Sequence, residues 1–239
     1  MVKDRHTILI TGTSRGIGQM LAAYYLAEGR SVIGCSRTPA TLDHAAAQAR
    51  YRHFVIDITD ESAVKDMMGT IRREGGIRIL VNNAGAFSAE LGLVATGAAL
   101  RAVLEQNVIG GFLVTREALK IMAATGFGRV INISSIAVPL EESGNAFYAA
   151  SKQALDRITR QMARELRGAN VTVNSVGLSF VEGSGMYERM RPDALERYRR
   201  RMAIGRPISI RELAYVIDFF AGDLAGALTG QTLYFGGPS

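Results

Sequence analysis

The sequence predicts an α/β protein in which helices cover both faces of one doubly wound, mostly parallel sheet. Short apolar runs rich in β-branched residues alternate with longer segments of helical periodicity along the whole chain. Continuous apolar strands that are separated by helices are typical of parallel sheets buried on both faces. Right-handed crossovers between such strands then give the doubly wound arrangement.

Seven strands and five helices follow from this alternation. The predicted strands cover residues 7–11, 31–35, 53–58, 77–82, 129–134, 171–176 and 231–235. The predicted helices cover residues 16–28, 61–73, 98–123, 147–167 and 211–221. Residues 178–210 are the least regular part, and a long irregular segment late in such a fold is a candidate lid over a ligand. We therefore expect a single domain over residues 1–239, with a lid near residues 178–205.

The composition suits one large domain, because 48% of the 239 residues are hydrophobic and 26 are glycine. No apolar run approaches the roughly 18 residues that cross a bilayer, and the apolar stretch near the N-terminus is too short for a signal peptide. The single cysteine, Cys35, excludes an internal disulfide, and the histidines His6, His44 and His53 form no metal-ligand pattern. These features favour a cytoplasmic protein with no metal site and no membrane partner.

The positive charge of the chain has two interpretations. The net charge is +6, and eight arginines lie within residues 189–211. An anion-binding patch is one interpretation. A solvated helix with ion pairs is favoured, because the acidic residues Asp193 and Glu196 each lie four positions before an arginine. No nucleic-acid-binding motif accompanies the arginines, so we expect no nucleic-acid partner.

A glycine-rich turn follows the first predicted strand. The segment TGTSRGIG, residues 11–18, places Gly12, Gly16 and Gly18 between a strand and a helix. Gly12 permits a tight turn, Gly16 lets a pyrophosphate approach the backbone, and Gly18 lets the helix pack on the sheet. The N–H groups at the start of the helix would then bind the phosphates. The alternative is a glycine turn that binds no ligand.

The segment YAASK, residues 148–152, places a phenol and an ammonium group four positions apart. On a helix, Tyr148 and Lys152 would lie on one face. A positive charge beside a phenol favours the phenolate and lowers the tyrosine pKa from its usual value near 10. The pair indicates acid–base chemistry, although a tyrosine and a lysine also meet at this spacing by chance.

Together these segments resemble the short-chain dehydrogenase/reductase family. TGTSRGIG matches its cofactor turn, NNAG at residues 82–85 matches the motif after its fourth strand, and YAASK matches its Tyr-x-x-x-Lys. QNVIG supplies Asn107, and NISS supplies Ser135 thirteen residues before Tyr148. The resemblance covers essentially the whole chain and implies a single Rossmann domain. It also implies an oxidoreductase of the ketoreductase type, similar to 3-oxoacyl-carrier-protein reductases.

The resemblance implies roles for four residues. Tyr148 would be the general acid that protonates a carbonyl oxygen, and Lys152 would lower its pKa and hold the nicotinamide ribose. Ser135 would hydrogen-bond the substrate carbonyl, and the spacing to Tyr148 favours it over the adjacent Ser134. Asn107 would hold a water molecule that links Lys152 to solvent. The alternative for Asn107 is that it only caps or bends its helix.

A nicotinamide dinucleotide is the cofactor that the resemblance implies. The expected contacts are Gly12, Ser14, Arg15, Gly16, Ile17, Gly18, Ser36, Arg37, Asp57, Ile58, Asn83, Ala84, Gly85, Tyr148, Lys152 and Val181. Asn82 and Asn83 are also expected to tie strands together. For Asp57, the alternative is an ordinary aspartate at a strand end.

Ser36 and Arg37 follow the second strand and predict NADP(H) as the cofactor. An NAD enzyme would place Asp or Glu there to accept hydrogen bonds from the adenosine ribose. A hydroxyl and a guanidinium, together with Arg15 in the glycine turn, suit a 2′-phosphate that an aspartate would repel. The alternative is that Arg37 is only a solvated residue after a strand.

The sequence departs from the family pattern after the sixth strand. Leu178 and Ser179 replace the usual Pro-Gly pair, Gly183 replaces a threonine near the nicotinamide, and YFGG lacks an acid. The expected substrate wall comprises Phe87, Val138, Leu140, Phe147, Phe180, Met186, Tyr187 and Met190. These apolar and aromatic side chains indicate a hydrophobic ketone, although core or subunit contact is the alternative for each.

The leading hypothesis is an NADPH-dependent reductase of a hydrophobic ketone, with a β-ketoacyl thioester or a secondary-metabolite intermediate as candidate substrates. One alternative is an alcohol dehydrogenase that acts oxidatively. Another is a dinucleotide-binding regulatory subunit without turnover, against which the complete Asn-Ser-Tyr-Lys set argues. The resemblance places subunit contacts on the helices at 98–123 and 147–167, in a homodimer or homotetramer.

Overall fold

The computed structural model describes residues 7–40, 49–188 and 190–238, except for the side chain of Met186. Seven strands of this part of the chain form one sheet. They are β1 (Ile8–Thr11), β2 (Val32–Ser36), β3 (Tyr51–Val55), β4 (Ile79–Asn82), β5 (Gly128–Ser135), β6 (Val171–Leu178) and β7 (Thr232–Tyr234). Their order is β3-β2-β1-β4-β5-β6-β7, and every neighbouring pair is parallel. The doubly wound sheet predicted from the sequence is confirmed.

Helices connect these strands and cover both faces of the sheet. Those described are α1 (Gly16–Ala27), α2 (Glu61–Arg73), α3 (Gly97–Leu104), α4 (Gly111–Thr125), α5 (Ala137–Leu140), α6 (Ala146–Glu165), α7 (Gly185–Glu188), α8 (Pro192–Arg200) and α9 (Ile210–Ala221). Within the described ranges, no helix has the length and apolar character that crossing a membrane requires. The strand order reverses between β1 and β4, and ligands of doubly wound folds bind at the carboxyl ends of such strands.

The core has one apolar layer on each face of the sheet. Leu9 of β1 packs with residues of α2, α4 and α6, whereas Ile8 and Ile10 pack with residues of α1 and α9. Alternate residues of a strand point to opposite faces, so a continuous apolar strand supplies both layers. The apolar runs of the sequence therefore follow from burial on two sides.

Two elements differ from the sequence prediction. β3 ends at Val55 rather than at residue 58, so Asp57 lies in the loop after the strand. The predicted helix over residues 98–123 is interrupted by a π-helical turn, Glu105–Gly110, which joins α3 to α4. Such turns inside helices occur frequently at functional sites, and Asn107 lies within this one.

Residues 178–205 contain the two short helices α7 and α8. α8 has no buried residue, and it carries ion pairs from Asp193 to Arg197 at 3.2 Å and from Glu196 to Arg200 at 3.3 Å. The ion-paired helix that the arginine-rich segment predicts is confirmed. Lid motion of this segment stays a prediction.

A glycine lets β7 pack against β6. Gly177 of β6 pairs with Tyr234 of β7, and a Cβ atom on Gly177 would overlap the tyrosine ring. We predict that Gly177→Ala lowers the free energy of unfolding by about 1–3 kcal/mol, because the added methyl group overpacks this strand pair. Urea unfolding of the variant and the unaltered chain measures the difference.

Gly69→Ala on α2 is the matched control for this change. Among the described residues, a Cβ atom on Gly69 would meet only Nη1 of Arg73, at 3.6 Å, which is an ordinary contact. Alanine is favoured over glycine inside a helix, so the free energy of unfolding should rise by about 0.5–1 kcal/mol. A Gly177→Ala protein as stable as the unaltered chain would show that the Tyr234 ring does not need this space.

Candidate active site

The glycine-rich turn lies between β1 and α1 and has the geometry expected from the sequence. Gly12 and Gly16 have φ values of +77° and +60°, which glycine adopts without a steric penalty. A Cβ atom on Gly18 would overlap the carbonyl oxygen of Gly12. Only glycine at position 18 therefore lets α1 approach the turn this closely.

The N-terminus of α1 is open at this turn. Arg15 precedes the helix without a side-chain cap, and the first helical turn contains no acidic residue. A Cβ atom on Gly16 would meet no atom of the described residues within 4 Å, so the backbone there borders space that this part of the chain leaves open. Helix N-termini bind anions through free N–H groups and the positive end of the helix dipole. Ser14, Gly16 and Ile17 are half-buried and Arg15 is exposed, so this segment fits the pyrophosphate of a dinucleotide.

Thr11, at the end of β1, fixes the loop that follows β4. Its Oγ1 accepts hydrogen bonds from the backbone N–H groups of Asn83 at 3.0 Å and Ala84 at 2.9 Å. The Asn83 side chain in turn donates to the Thr11 carbonyl oxygen at 2.9 Å. Thr11 is not predicted by the sequence as a site residue, because a threonine at a strand end has no distinguishing pattern.

Asn82 joins β4 to its neighbours. Its Nδ2 donates to the carbonyl oxygen of Gly111 on α4 at 2.8 Å and to Oδ1 of Asn132 on β5 at 3.2 Å. Its Oδ1 accepts a hydrogen bond from Thr11 at 3.2 Å. The prediction that Asn82 and Asn83 tie strands together is confirmed.

Ser36 and Arg37 lie at the end of β2, next to the glycine turn. The turn is bonded to this strand end, because the N–H of Gly12 donates to the Cys35 carbonyl oxygen at 2.7 Å. The Ser36 hydroxyl donates to the Thr38 carbonyl oxygen at 2.7 Å and lies 2.8 Å from Nε2 of His53 on β3. Arg37 is exposed, as is Arg15 in the turn. The exposed guanidinium groups of Arg15 and Arg37 and the hydroxyl of Ser36 therefore belong to two segments that are hydrogen-bonded to each other, the glycine turn and the end of β2.

Asp57 lies in the loop after β3, on the same edge of the sheet. Burial raises its pKa, but hydrogen bonds from Thr59 and Gln106 and the charge of Arg37 outweigh burial and leave the pKa below its ordinary value. The Thr59 N–H and hydroxyl reach Oδ1 at 3.0 and 2.9 Å. Asp57 is therefore an ionised acceptor near Arg37, whereas Ile58 is buried against the π-helical turn. Contact of both residues with adenine stays a prediction.

α6 lies along β5 and carries Tyr148 and Lys152. The Lys152 Nζ donates to the carbonyl oxygen of Ile133 at 2.8 Å and lies 5.8 Å from the centroid of the Tyr148 ring. Burial lowers the pKa of Lys152 from 10.5 to about 8, although the charge of Asp156 acts in the opposite direction. The lysine thus titrates close to physiological pH.

The pKa of Tyr148 lies above its ordinary value of 10, and burial is the main cause. The Ser135 hydroxyl lowers this pKa by hydrogen bonding, while Tyr198 raises it further. The expectation of a Tyr148 pKa below its ordinary value is wrong for this arrangement, because burial outweighs the interactions that lower the pKa. Tyr148 is therefore a protonated phenol at neutral pH.

Ser135 is the serine beside Tyr148, as the spacing in the sequence favours. It ends β5, and its Oγ accepts a hydrogen bond from the N–H of Ala137 at 3.1 Å. Ser134 is engaged elsewhere, since its hydroxyl donates to Oδ2 of Asp156 at 2.9 Å. The structure therefore brings the Ser135 and Tyr148 hydroxyl groups together at the carboxyl end of β5.

Asn107 connects the loop after β4 to α6. Its Oδ1 accepts from the N–H of Ala86 at 2.7 Å, and its Nδ2 donates to the Ala86 carbonyl oxygen and to Oγ of Ser151, both at 2.9 Å. A Cβ atom on Gly85 would lie 2.8 Å from this Oδ1 and 3.4 Å from Nζ of Lys152. The side chains of Asn107 and Lys152 thus both lie next to the backbone of Gly85. Both amide protons of Asn107 are used, so its side chain has no donor left for the predicted water, and the water-relay role stays a prediction.

The segment after β6 is anchored to the chain that precedes α9. β6 continues through Leu178, whose carbonyl oxygen accepts from the N–H of Ile136 at 3.0 Å, where the family pattern has a proline. Val181 is buried and pairs with Ile208 in an isolated parallel bridge. Gly183 follows with a φ of +72°, a conformation that the threonine of the family pattern would adopt only with strain.

Aromatic side chains lie around Tyr148. The Phe87 ring meets the Tyr148 ring edge-on, with centroids 5.0 Å apart. The Phe180 ring lies 5.0 Å from that of Tyr198, whose hydroxyl accepts from the Asn145 side chain at 2.9 Å. Tyr198 is not among the residues predicted from the sequence. Helical spacing on α8 places it away from the ion-paired residues, and this position could have indicated a contact with the rest of the protein. The side chain of Met186 lies outside the described part, and Leu140 is buried in the interior.

Comparison with known proteins defines the class of this chain. Residues 6–195 match the model of the short chain dehydrogenase family. The chain therefore belongs to this family, and it is an oxidoreductase that uses a nicotinamide dinucleotide.

Particular relatives match almost the full chain. It is 30% identical over 234 residues to the 3-oxoacyl-[acyl-carrier-protein] reductase of Escherichia coli, covering 96% of this chain and 95% of that protein. It is 32% identical over 231 residues to the enzyme of the same name from Thermotoga maritima, covering 94% of each. The crystal structure of NAD+-bound xylitol dehydrogenase superposes with a TM-score of 0.89 at 25% identity, covering 99% of this chain and 100% of that one.

Proposed function

We propose that this chain reduces a hydrophobic ketone to a secondary alcohol with NADPH, and that the ketone is the β-keto group of an acyl thioester. One observation carries this proposal: the Tyr148 and Ser135 hydroxyl groups are hydrogen-bonded at the end of β5. The Lys152 ammonium group is bonded to the same strand and lies 5.8 Å from the centroid of the Tyr148 ring. Two hydroxyl groups that converge on one point stabilise the charge that develops on a carbonyl oxygen.

The bound nicotinamide supplies the hydride in this reaction. Tyr148 donates its proton to the carbonyl oxygen, and its raised pKa keeps the phenol protonated until charge develops there. Ser135 donates a hydrogen bond to the same oxygen and orients the carbonyl group. Lys152, in its ammonium form, stabilises the phenolate that remains on Tyr148. That form is present below a pH of about 8 and is lost above it, so the rate should fall on the alkaline side.

The end of β2 supports NADPH as the cofactor. This strand ends in Ser36, followed by the exposed guanidinium of Arg37, with no carboxylate at the position where NAD enzymes bind the ribose. The pKa of Asp57 responds to the charge of Arg37, so a positive field is present at this edge. A 2′-phosphate is favoured by such a field and by a planar guanidinium group that can bind two of its oxygens.

The surroundings of Tyr148 support an apolar substrate. Phe87 is 48% exposed beside the catalytic ring, and Phe180 and Tyr198 form a second aromatic group. Apolar walls with few polar groups are typical of sites that bind hydrophobic ligands. The names of the bacterial relatives support a 3-oxoacyl thioester. A homodimer or homotetramer and a cytoplasmic location stay predictions.

We predict that Tyr148→Phe lowers kcat/KM for NADPH-dependent reduction of a β-ketoacyl thioester by about 10²–10⁴-fold, because the proton donor is lost. The Kd for NADPH, measured by nicotinamide fluorescence, should stay close to that of the unaltered chain, since the ring remains. Tyr215→Phe is the matched control, because this tyrosine lies on α9 and is 75% exposed.

Two results would contradict the proposal in different ways. A Tyr148→Phe protein with full activity would remove the tyrosine from the reaction. If the unaltered chain binds NADPH but reduces no ketone and oxidises no alcohol, the chain is a dinucleotide-binding subunit. Turnover in the oxidative direction alone would instead favour the alcohol dehydrogenase.

For the cofactor, we predict a preference for NADPH over NADH of on the order of a hundredfold in kcat/KM. Charge-assisted hydrogen bonds from Arg37 and Arg15 to the 2′-phosphate would together supply the about 2.7 kcal/mol that this ratio requires. Replacing both Ser36→Asp and Arg37→Ile should reverse the preference, because the aspartate accepts from the ribose and repels the phosphate.

The control for the cofactor test is Arg72→Ile, which removes one positive charge from the exposed side of α2. This variant should keep the preference of the unaltered chain at both low and high salt. Equal use of NADH and NADPH by the unaltered chain would show that Arg37 is only a surface residue.

A further inference from the structure

A second ionisable side chain, Asp156, is buried beside the catalytic lysine. Lys152 and Asp156 are four positions apart on α6 and therefore point the same way from consecutive turns. They are 4% and 3% exposed. Charged side chains are almost never buried to this extent unless they are paired. Asp156 has no role in the proposed reduction.

The two side chains contact adjacent residues of one strand. Lys152 donates to the carbonyl oxygen of Ile133, and Oδ2 of Asp156 accepts from the hydroxyl of Ser134 at 2.9 Å. The same Oδ2 accepts from the Tyr234 hydroxyl of β7 at 3.0 Å. The Asp156 carboxylate is therefore fixed in place by hydrogen bonds from two strands, β5 and β7.

The other groups that face Asp156 are neutral or more distant. β5 and β6 present the hydroxyl groups of Ser134 and Ser175, and β7 presents the phenol of Tyr234. Arg160, one turn further along α6, acts on Tyr234. Lys152 is the cation whose charge acts on Asp156, and Asp156 is the anion whose charge acts on Lys152.

One oxygen of this carboxylate has no role in the hydrogen bonds just described. Oδ1 of Asp156 has no hydrogen-bond partner among the described residues. Burial raises the pKa of Asp156 above its ordinary value, although the surrounding hydroxyl groups and the charge of Lys152 act in the opposite direction. A buried carboxyl group with one unpaired oxygen stays ionised only beside a positive charge, and among the described residues Lys152 supplies that charge.

We propose that Asp156 is a positioning residue whose carboxylate, one helical turn from Lys152, keeps that lysine in the ammonium form required beside Tyr148. The carboxylate acts through Lys152 and contacts neither substrate nor cofactor. The inference rests on the proposed function only in one respect, which is that Tyr148 is the proton donor and Lys152 the cation that acts on it. The charge coupling itself exists whether or not the chain reduces ketones.

The test is the titration of Lys152 by NMR in protein labelled with [ε-13C]lysine. The chain has four lysines, Lys3, Lys65, Lys120 and Lys152, so the signals can be assigned by substitution. In Asp156→Asn, which keeps the shape of the side chain, loss of the negative charge should lower the Lys152 midpoint by at least about half a pH unit. This corresponds to about a threefold fall in the ratio of ammonium to amine.

Two variants separate charge from structure. Asp66→Asn, on the exposed side of α2, removes the same charge and should leave the Lys152 midpoint unchanged. Tyr234→Phe removes one hydrogen bond to Asp156 but leaves its charge, so the midpoint should again stay unchanged. In Asp156→Asn the alkaline limb of kcat/KM should move to lower pH together with the NMR midpoint, whereas a purely structural role would lower the rate equally at every pH.

A reciprocal measurement covers the case in which Asp156→Asn does not fold. Lys152→Met should raise the titration midpoint of the Asp156 carboxyl group, observed in [γ-13C]aspartate-labelled protein, because the coupling is mutual. An unchanged Lys152 midpoint in folded Asp156→Asn, or an unchanged Asp156 midpoint in Lys152→Met, overturns the inference. Shifted midpoints in a chain that reduces no ketone would support the inference and contradict the proposed function.

Discussion

The docking of α6 along β5 is the constraint on which the site depends. Three consecutive residues of β5 bond to the buried side of this helix. The bonds join Asn132 Nδ2 to Thr159 Oγ1 at 2.8 Å, the Ile133 carbonyl oxygen to Lys152 Nζ at 2.8 Å, and Ser134 Oγ to Asp156 Oδ2 at 2.9 Å. A slip of the helix by one residue would break all three, and each buried polar group left unpaired costs about 1–3 kcal/mol. The helix is therefore fixed where Tyr148 meets Ser135.

The same network connects the end of β5, where Ser135 meets Tyr148, to the glycine-rich turn. Asn132 accepts from Asn82 on β4, and Asn82 in turn accepts from Thr11 on β1. Thr11 also binds the loop that contains Asn83 and Ala84, next to the glycine turn. Hydrogen bonds thus run from β1 through β4 and β5 to α6. Because satisfied networks of this kind rigidify a buried region, the position of a bound dinucleotide is linked to that of Tyr148.

The sequence predicts the features that depend on local pattern. Burial on both faces produces continuous apolar strands, and the turn geometry at Gly12 requires glycine, so both can be recognised without a structure. Features that depend on contacts between residues far apart in the chain cannot be recognised in this way. Tyr198 reaches Tyr148 only through the packing of α8, and the pKa of Tyr148 rises because burial outweighs a charge that spacing alone suggests. The partners of Asp156 likewise come from β5 and β7, far from it in the chain.

The central claim is that Tyr148 and Ser135 act on one carbonyl oxygen, and a double-mutant cycle of kcat/KM tests it most directly. The cycle compares Ser135→Ala, Tyr148→Phe and the double variant with the unaltered chain in the NADPH-dependent reduction of a β-ketoacyl thioester. Residues that act as a unit show strongly non-additive effects. The account predicts that the double variant loses far less activity than the product of the two single losses, with an interaction of about 0.5–3 kcal/mol. A double loss equal to that product would contradict the account, because the two hydroxyl groups would then act independently.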